Sequence, residues 1–272
     1  FGTITSPGNE PSAITVGAMN DKGTASIADD EPAWFSAKGP TLIDYVAKPD
    51  LVAPGQSILS TRSSSGTSSC ISGFDSNYAF CTGTSMATPL VAGSAALVAE
   101  YLAVNRSHSN SSSALIKAIL VAGADAIGAI PNNNAGFGRI NLTKSLAAVV
   151  PYQLNYSDGQ YSLSTSNSAS FTYSVANSSV ELKIALVWTD RPCISSCNVT
   201  ALVNDLDLNV SAPDGSWYLG NNFTAASSTG NDRKNNVELV AISSPTTGTY
   251  TINVSAYNVP LGPQDFALVV LG

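Results

Sequence analysis

The stretch CTGTSMATPLVAG, residues 81–93, places a serine where two roles compete. A serine before an apolar helix is commonly its N-cap, with the hydroxyl accepting a hydrogen bond from a backbone N–H. The other role is that of a nucleophile. Gly83 and Ala87 leave space for a substrate carbonyl near the Ser85 hydroxyl, and a helix N-terminus favours developing negative charge. The pattern differs from the Gly-x-Ser-x-Gly elbow, because Ala87 fills the last glycine position.

A nucleophilic serine needs a neighbouring base, and this sequence offers a poor one. Its single histidine, His108, follows Ser85 in the polar segment NRSHSNSSS (105–113), and we interpret it as an exposed loop residue. Asp21, Asp44 and Asp50 precede the serine, and we expect Asp50, in Lys-Pro-Asp, to be structural. The sequence therefore presents a candidate nucleophile without its partners.

The segment GTSMATPLVAG (83–93) resembles the catalytic-serine motif of subtilisin-like serine proteases. Four further segments resemble that family in the same order, over most of residues 1–150: SPGNEPSAITVGA (6–18), FSAKGPT (35–41), KPDLVAPGQSILST (48–61) and GFGRINLTKSL (136–146). The resemblance implies an α/β fold with Ser85 as the nucleophile. It also implies substrate-binding roles for five residues: Thr5, Ser6, Pro7, Gly83 and Thr84. Thr5 would lie near the floor of the pocket for the residue preceding the scissile bond.

The same resemblance implies that the base, its orienting aspartate and the oxyanion asparagine precede Phe1. Asn9, in Pro-Gly-Asn-Glu, imitates the oxyanion context but follows the position at which the family carries it. We therefore expect a serine endopeptidase acting on polypeptide substrates, of which this chain is a fragment, inactive without the N-terminal part of the same catalytic domain. The alternative is a pseudoprotease or scaffold whose second domain binds a partner.

The elements that position these residues change character near Pro151. Before it, strand-like runs at 13–16 and 51–53 alternate with turns, followed by helices predicted over about 85–102 and 112–121. The first helix is apolar on all sides, which predicts burial in a core. Strands alternating with helices predict an α/β layer architecture for residues 1–150.

After Pro151 the apolar period is two, and turn signals such as Pro213-Asp214-Gly215 separate the runs. Six strands are predicted, at 171–175, 182–188, 206–210, 237–239, 250–254 and 266–270. This pattern predicts an antiparallel sandwich or jelly roll over residues 151–272. Segments such as ALVWTD and RKNNVELVAI resemble the C-terminal jelly roll of some bacterial and eukaryotic subtilases, which is distantly similar to the P domain of proprotein convertases.

The net charge of −7 and the sequence pI near 4.5 argue against nucleic acid as a partner. We expect no transmembrane segment, because Glu100 interrupts the longest apolar run. The chain begins with Phe1 and lacks a signal peptide, which we interpret as a mature or excised piece.

The cysteines form two close pairs, Cys70 with Cys81 and Cys193 with Cys197, and this spacing permits two local disulfides. A zinc site is the weaker interpretation, since no second CxxC or histidine pair accompanies them. Nine Asn-x-Ser/Thr sequons occur, at Asn105, Asn110, Asn141, Asn155, Asn177, Asn198, Asn209, Asn222 and Asn253. Together they predict a glycoprotein that is secreted or lies in an endomembrane lumen.

The segment NDLDLN, residues 204–209, would place Asp205 and Asp207 on one face of a strand. Like charges this close require a cation or donors between them. Hard oxygen ligands suit Ca²⁺, and Asp232 in GNDRKNN could join the site. The alternative is a pair of solvated acids that interact with Arg233 or Lys234.

Overall fold

The computed structural model describes residues 1–64, 70–73, 75–148, 150–192, 202–222 and 230–272. The first part, residues 1–150, contains the strands β1 (Val16–Asn20), β2 (Glu31–Pro32), β3 (Leu51–Pro54), β4 (Ile58–Thr61), β5 (Ile71–Ser72) and β6 (Tyr78–Cys81). β1 pairs in parallel with β3 and antiparallel with β2, while β6 lies between β4 and β5 in a small antiparallel sheet. A parallel pair followed by helices agrees with the predicted α/β class.

Three helices follow: α1 (Thr84–Asn105), α2 (Ser113–Gly123) and α3 (Leu142–Ser145). Side chains cap the second and third. The Ser112 hydroxyl accepts from Leu115 N at 3.0 Å, and the Asn141 amide oxygen accepts from Lys144 N at 3.1 Å. Both long helices were predicted, and each extends two or three residues beyond its expected C-terminal end.

The prediction that α1 is buried on all sides was wrong. One stripe of α1 enters the core, formed by Ala87, Val91, Val98 and Leu102. A second stripe, Leu90, Leu97 and Val104, is exposed at 44%, 48% and 72%. By length and composition α1 could cross a membrane despite Glu100, and it is the one such helix in the described ranges; its buried stripe is equally compatible with a core helix. The absence of a transmembrane segment stays a prediction.

The second part is built from two four-stranded antiparallel sheets that face each other. The strands are β7 (Leu154–Leu163), β8 (Ser168–Val175), β9 (Leu182–Val187), β10 (Asp205–Ser211), β11 (Trp217–Leu219), β12 (Val237–Ile242), β13 (Gly248–Asn258) and β14 (Gln264–Leu271). One sheet has the order β11-β10-β13-β8 and the other β12-β9-β14-β7, and we call the two sheets together the sandwich. The period-two pattern predicted six of these strands and missed β7 and β11.

One hydrophobic core crosses the predicted boundary at Pro151. Nine of the eleven α2 residues are buried, because α2 lies between α1 and the outer face of the sheet that contains β9 and β14. Ala185, Val187 and Val269 from that sheet belong to the same buried cluster as Leu115 and Ile119 of α2. The two parts therefore share a core, although their architectures differ.

A carboxylate on β7 fastens this junction. Asp158 accepts hydrogen bonds from His108 Nε2 at 2.7 Å, from Ser112 N at 2.9 Å and from the Ser112 hydroxyl. Asp158 thus supports the residue that caps α2. His108, which we expected to be an exposed loop residue, is half-buried against this carboxylate and close to Tyr156.

Replacing Asp158 should therefore weaken the junction. Asp158→Ala removes the acceptor of three bonds and leaves Ser112 N without its partner, so we expect a loss of about 1–3 kcal/mol in the free energy of unfolding. The matched control is Ser157→Ala, since the buried Ser157 hydroxyl has no hydrogen-bond partner among the described residues. Urea titration of both variants checks this. Equal effects of the two substitutions would contradict it.

Candidate active site

Ser85 is the second residue of α1 and does not cap it. The N-cap is Gly83, which has no side-chain capping bond, and Met86 N donates to Gly83 O at 3.0 Å. Ser85 is exposed, and its hydroxyl makes no hydrogen bond to the part of the chain that the structure describes. The hydroxyl is therefore available at a helix N-terminus, where N–H groups lack intrahelical acceptors. The structure thus rules out the N-cap role for Ser85, and its role as a nucleophile stays a prediction.

The turn before Ser85 is held by a close backbone approach. Gly83 N donates to Gly55 O at 2.8 Å, and Ser57 N donates to the Thr82 hydroxyl at 2.9 Å. A Cβ on Gly55 would lie 2.6 Å from the Ala18 Cβ and 2.9 Å from Gly83 O. Glycine at position 55 is required there, because any side chain would push the turn away from β1 and β3.

A disulfide closes the segment that leads to the turn. Cys70 and Cys81 are bonded, as predicted, and Cys81 is the last residue of β6. Because β6 ends four residues before Ser85, the bond ties the segment between β4 and β6 to the strand that leads to Ser85. Cys193 and Cys197 lie outside the described residues.

A pocket of about 120 Å³ adjoins the start of α1. Its lining includes Thr5, Gly8 and Thr15 on one side and Thr84, the neighbour of Ser85, on another. The structure thus brings together Thr5 and Thr84, two of the expected substrate-binding residues. Ser6 and Pro7 lie in the exposed turn beside Thr5, and Gly83 lies in the turn before α1.

Two lysines and an aspartate lie buried behind this pocket, and we call them the charge cluster: Lys48, Asp50 and Lys117. The Asp50 carboxylate is 2.7 Å from Lys48 Nζ and 2.8 Å from Lys117 Nζ, and all three side chains are at most 3% exposed. Burial acts to raise the pKa of Asp50, but the two ammonium groups outweigh it and hold that pKa below its ordinary value. Burial lowers the pKa of Lys117 to about 8, and Asp50 opposes this shift.

We expected Asp50 to be structural, and its burial between two lysine ammonium groups agrees with that expectation. Lys117 was missed. The signal for it is a single charged residue inside an otherwise apolar helix, SALIKAILVAG, because a lysine on a buried face requires a partner.

His108 cannot serve Ser85 as a base. Asn105 follows Ser85 by twenty positions in α1, which at 1.5 Å per residue is about 30 Å, and His108 comes after that end of the helix. Its ring is instead held by Asp158. The structure therefore exposes Ser85 and places the only histidine of the sequence at the opposite end of the same helix.

A sequence model described as the subtilase family matches residues 1–138, just over half of the 272-residue chain. The chain belongs to the subtilase family. Its similarity to a Dictyostelium discoideum protein named serine protease/ABC transporter B family protein tagA is 31% identity over 271 aligned residues, which cover 88% of this chain and 15% of that protein. The family match ends at residue 138, whereas this similarity covers 88% of the chain and therefore extends into the strands of the second part.

Two further relatives match shorter stretches of this subtilase. Serine protease AprX of Bacillus subtilis is 48% identical over 99 residues, covering 35% of this chain and 22% of that protein. Subtilisin-like protease SBT6.1 of Arabidopsis thaliana is 28% identical over 176 residues, covering 60% of this chain and 15% of that protein. The chain thus spans 15–22% of the length of these three relatives.

The expected calcium residues lie elsewhere, on the second part of the chain. Arg233 Nη1 lies 3.2 Å from Asp205 Oδ1 and also contacts Asp207, while Asp232 accepts from Asn221 and from the backbone of its own turn. Both strand aspartates are buried rather than solvated. In this arrangement the Arg233 guanidinium supplies their counter-charge.

Within the described ranges no group of three or more His, Cys, Asp or Glu side chains is arranged to hold a metal ion. Calcium binding stays a prediction, and it would require Arg233 to leave the two carboxylates.

Asp205 should make the stability of the chain depend on pH. Burial raises its pKa from 3.8 to about 7, with Asp207 adding to the shift and Arg233 opposing it. A raised carboxyl pKa gives a stabilising contribution that is complete below about pH 4 and lost as the pH rises through 7. Wild-type protein should therefore lose stability relative to Asp205→Asn between pH 5 and pH 8, as measured by urea midpoints.

The control is Asp214→Asn, since the pKa of exposed Asp214 is lowered and its titration lies below that window. A constant difference between wild type and Asp205→Asn from pH 5 to pH 8 would contradict the assignment.

Proposed function

We propose that the chain carries the nucleophile and part of the substrate pocket of a serine endopeptidase, which cleaves peptide bonds through an acyl-enzyme on Ser85. The observation that carries this proposal is the exposed, uncapped hydroxyl of Ser85 at the N-terminus of α1, next to the pocket lined by Thr5 and Thr84. Membership in the subtilase family supports it.

In this mechanism the Ser85 oxygen attacks the carbonyl carbon of the scissile bond while its proton passes to a base. The base then protonates the leaving amine, and water releases the acyl group by the reverse sequence. The chain itself supplies the nucleophile, the positive end of α1 near the developing oxyanion, and the pocket beside it. The only histidine of the sequence lies at the far end of α1, and the resemblance places the base upstream of Phe1, so we expect the fragment alone to be inactive.

The partner that completes the site is the N-terminal part of the same catalytic domain. The exposed stripe of α1, formed by Leu90, Leu97 and Val104 at seven-residue spacing, supports a contact with that part on this face. Apolar side chains that recur with this period lie on one helix face, and such a face is normally covered. The covering part would then bring the base to the end of α1 that carries Ser85.

The strand order of the second part supports a finer assignment of its fold. Apart from the β10–β11 hairpin, consecutive strands from β7 to β14 lie in opposite sheets, and this connectivity supports a jelly roll. The Cys70–Cys81 bond and the nine sequons support a secreted or endomembrane-lumenal glycoprotein.

Active-site labelling tests the proposed reaction. We expect a fluorophosphonate to modify Ser85 in the protein that includes the upstream catalytic segment, and to leave the 272-residue chain unmodified, because only the former has a base. Ser85→Ala should abolish the adduct, as read by peptide mass spectrometry. Ser94→Ala is the matched control on the same helix, since the Ser94 hydroxyl is bound to Leu90 O.

A folded protein with the upstream segment that shows no adduct on Ser85 would contradict the proposal and favour the pseudoprotease alternative.

The covering of α1 can be tested separately. We expect Leu97→Lys to prevent association of the chain with the separately produced upstream segment, because burying the new ammonium is costly. Trp217→Lys alters an equally exposed apolar side chain on β11 and should leave association unchanged. Analytical ultracentrifugation of the mixtures measures both. Association of the Leu97→Lys chain at wild-type strength would place the contact elsewhere.

A further inference from the structure

The single charged side chain of α2 reaches the backbone of the cleft loop, residues 5–15. Lys117 Nζ donates to Pro11 O at 2.9 Å and to Ala13 O at 3.0 Å, and Lys48 Nζ donates to the same Ala13 carbonyl at 3.0 Å. Lys117 is 2% exposed. Carbonyls that lie more than a hundred residues away in sequence are therefore fixed by a buried ammonium group.

Asp50 carries this restraint to the pocket wall. Its carboxylate accepts from Thr15 N at 2.7 Å, while Asp50 N donates to Thr15 O at 2.8 Å. The Thr15 hydroxyl in turn donates to Gly8 O at 2.6 Å. Gly8 and Thr15 both line the pocket next to Thr84. A continuous series of charge-assisted and neutral hydrogen bonds thus runs from Lys117 to the surface that faces a substrate.

The sandwich supports the other end of this series. Lys117 is placed by α2, whose remaining buried side chains pack on β9 and β14. A second lysine reinforces the same contact, since Lys183 on β9 donates to Ala124 O directly after α2 at 2.5 Å. Because α2 packs on the sheet, the position of Lys117 relative to the pocket depends on the second part of the chain.

We propose that Lys117 is a positioning residue of the substrate pocket, which holds the cleft loop in its binding conformation and links that loop to the β-sandwich. This inference rests on the proposed peptidase function for its meaning, although its structural content can be tested without proteolysis. It assigns the sandwich a role in substrate binding through α2 rather than through direct contact with substrate.

Hydrogen exchange of the 272-residue chain tests the restraint. We expect Lys117→Met to accelerate exchange of the loop amides at 8–15 by about tenfold, because the loop loses the ammonium that orders its carbonyls. The matched control is Lys144→Met, which removes a lysine of α3 whose Nζ lies 2.7 Å from Asp125 Oδ1. That variant should leave exchange in the loop unchanged. Equal exchange in the loop of Lys117→Met and wild type would overturn the proposal.

A milder variant keeps the test decisive if Lys117→Met does not fold. Thr15→Val removes only the bond to Gly8 O and leaves the charge cluster in place, so we expect faster exchange at positions 8–10 but wild-type exchange at 11–13. Uniformly unchanged exchange in this variant would also overturn the proposal.

Kinetics of the protein with its upstream segment separate positioning from general destabilisation. For peptide substrates, Lys117→Met should raise KM by about fivefold with little change in kcat, and Lys117→Arg should restore part of the affinity. A lower kcat at constant KM would overturn the positioning role. Failure of Ser85 labelling would instead contradict the proposed peptidase function, while hydrogen exchange would still test whether Lys117 restrains the cleft loop.

Discussion

The packing of α2 between α1 and one face of the sandwich is the constraint on which the rest of the structure depends. Nine of its eleven residues are buried, and they join the two parts of the chain into one core. Its N-terminus is capped by Ser112, which Asp158 of the sandwich supports, and its middle carries Lys117 to the cleft loop. A single short helix therefore transmits the position of the sheet to the region that faces Ser85. The apolar packing of α2 on the sheet fixes the position of Lys117, and the buried hydrogen bonds of Lys117 fix the conformation of the cleft loop.

Local patterns predicted those elements whose periodicity was strong. The alternation around Leu206 and Leu208 and the apolar run after Ser85 gave the correct strand and helix. β7 was missed because its sequence, LNYSDGQYSL, mixes polar residues and glycine with few apolar ones, and its pairing with β14 determines the strand instead. The Cys70–Cys81 bond was predictable because the two cysteines lie close in sequence.

Long-range features were beyond the same reasoning. The uniformly apolar composition of α1 says that its surface needs covering but not by what, so its exposed stripe could not be foreseen. Lys117 meets Asp50 only in the folded chain, across a sequence separation of 67, and Arg233 meets Asp205 across a separation of 28. Sequence reasoning selected Ser85 through a resemblance covering most of residues 1–150, whereas the contacts of Lys117 with the cleft loop follow from three-dimensional packing alone.

The position of α2 also sets an order for biosynthesis. The strands that cover its outer face include β14, which ends at Leu271, so α2 has no complete binding surface until the ribosome has added the last residues of that strand. The loop held by Lys117 was made more than a hundred residues earlier. A chain whose synthesis stops short of β14 therefore lacks part of the surface on which α2 packs, and α2 is the helix that carries Lys117 to the cleft loop.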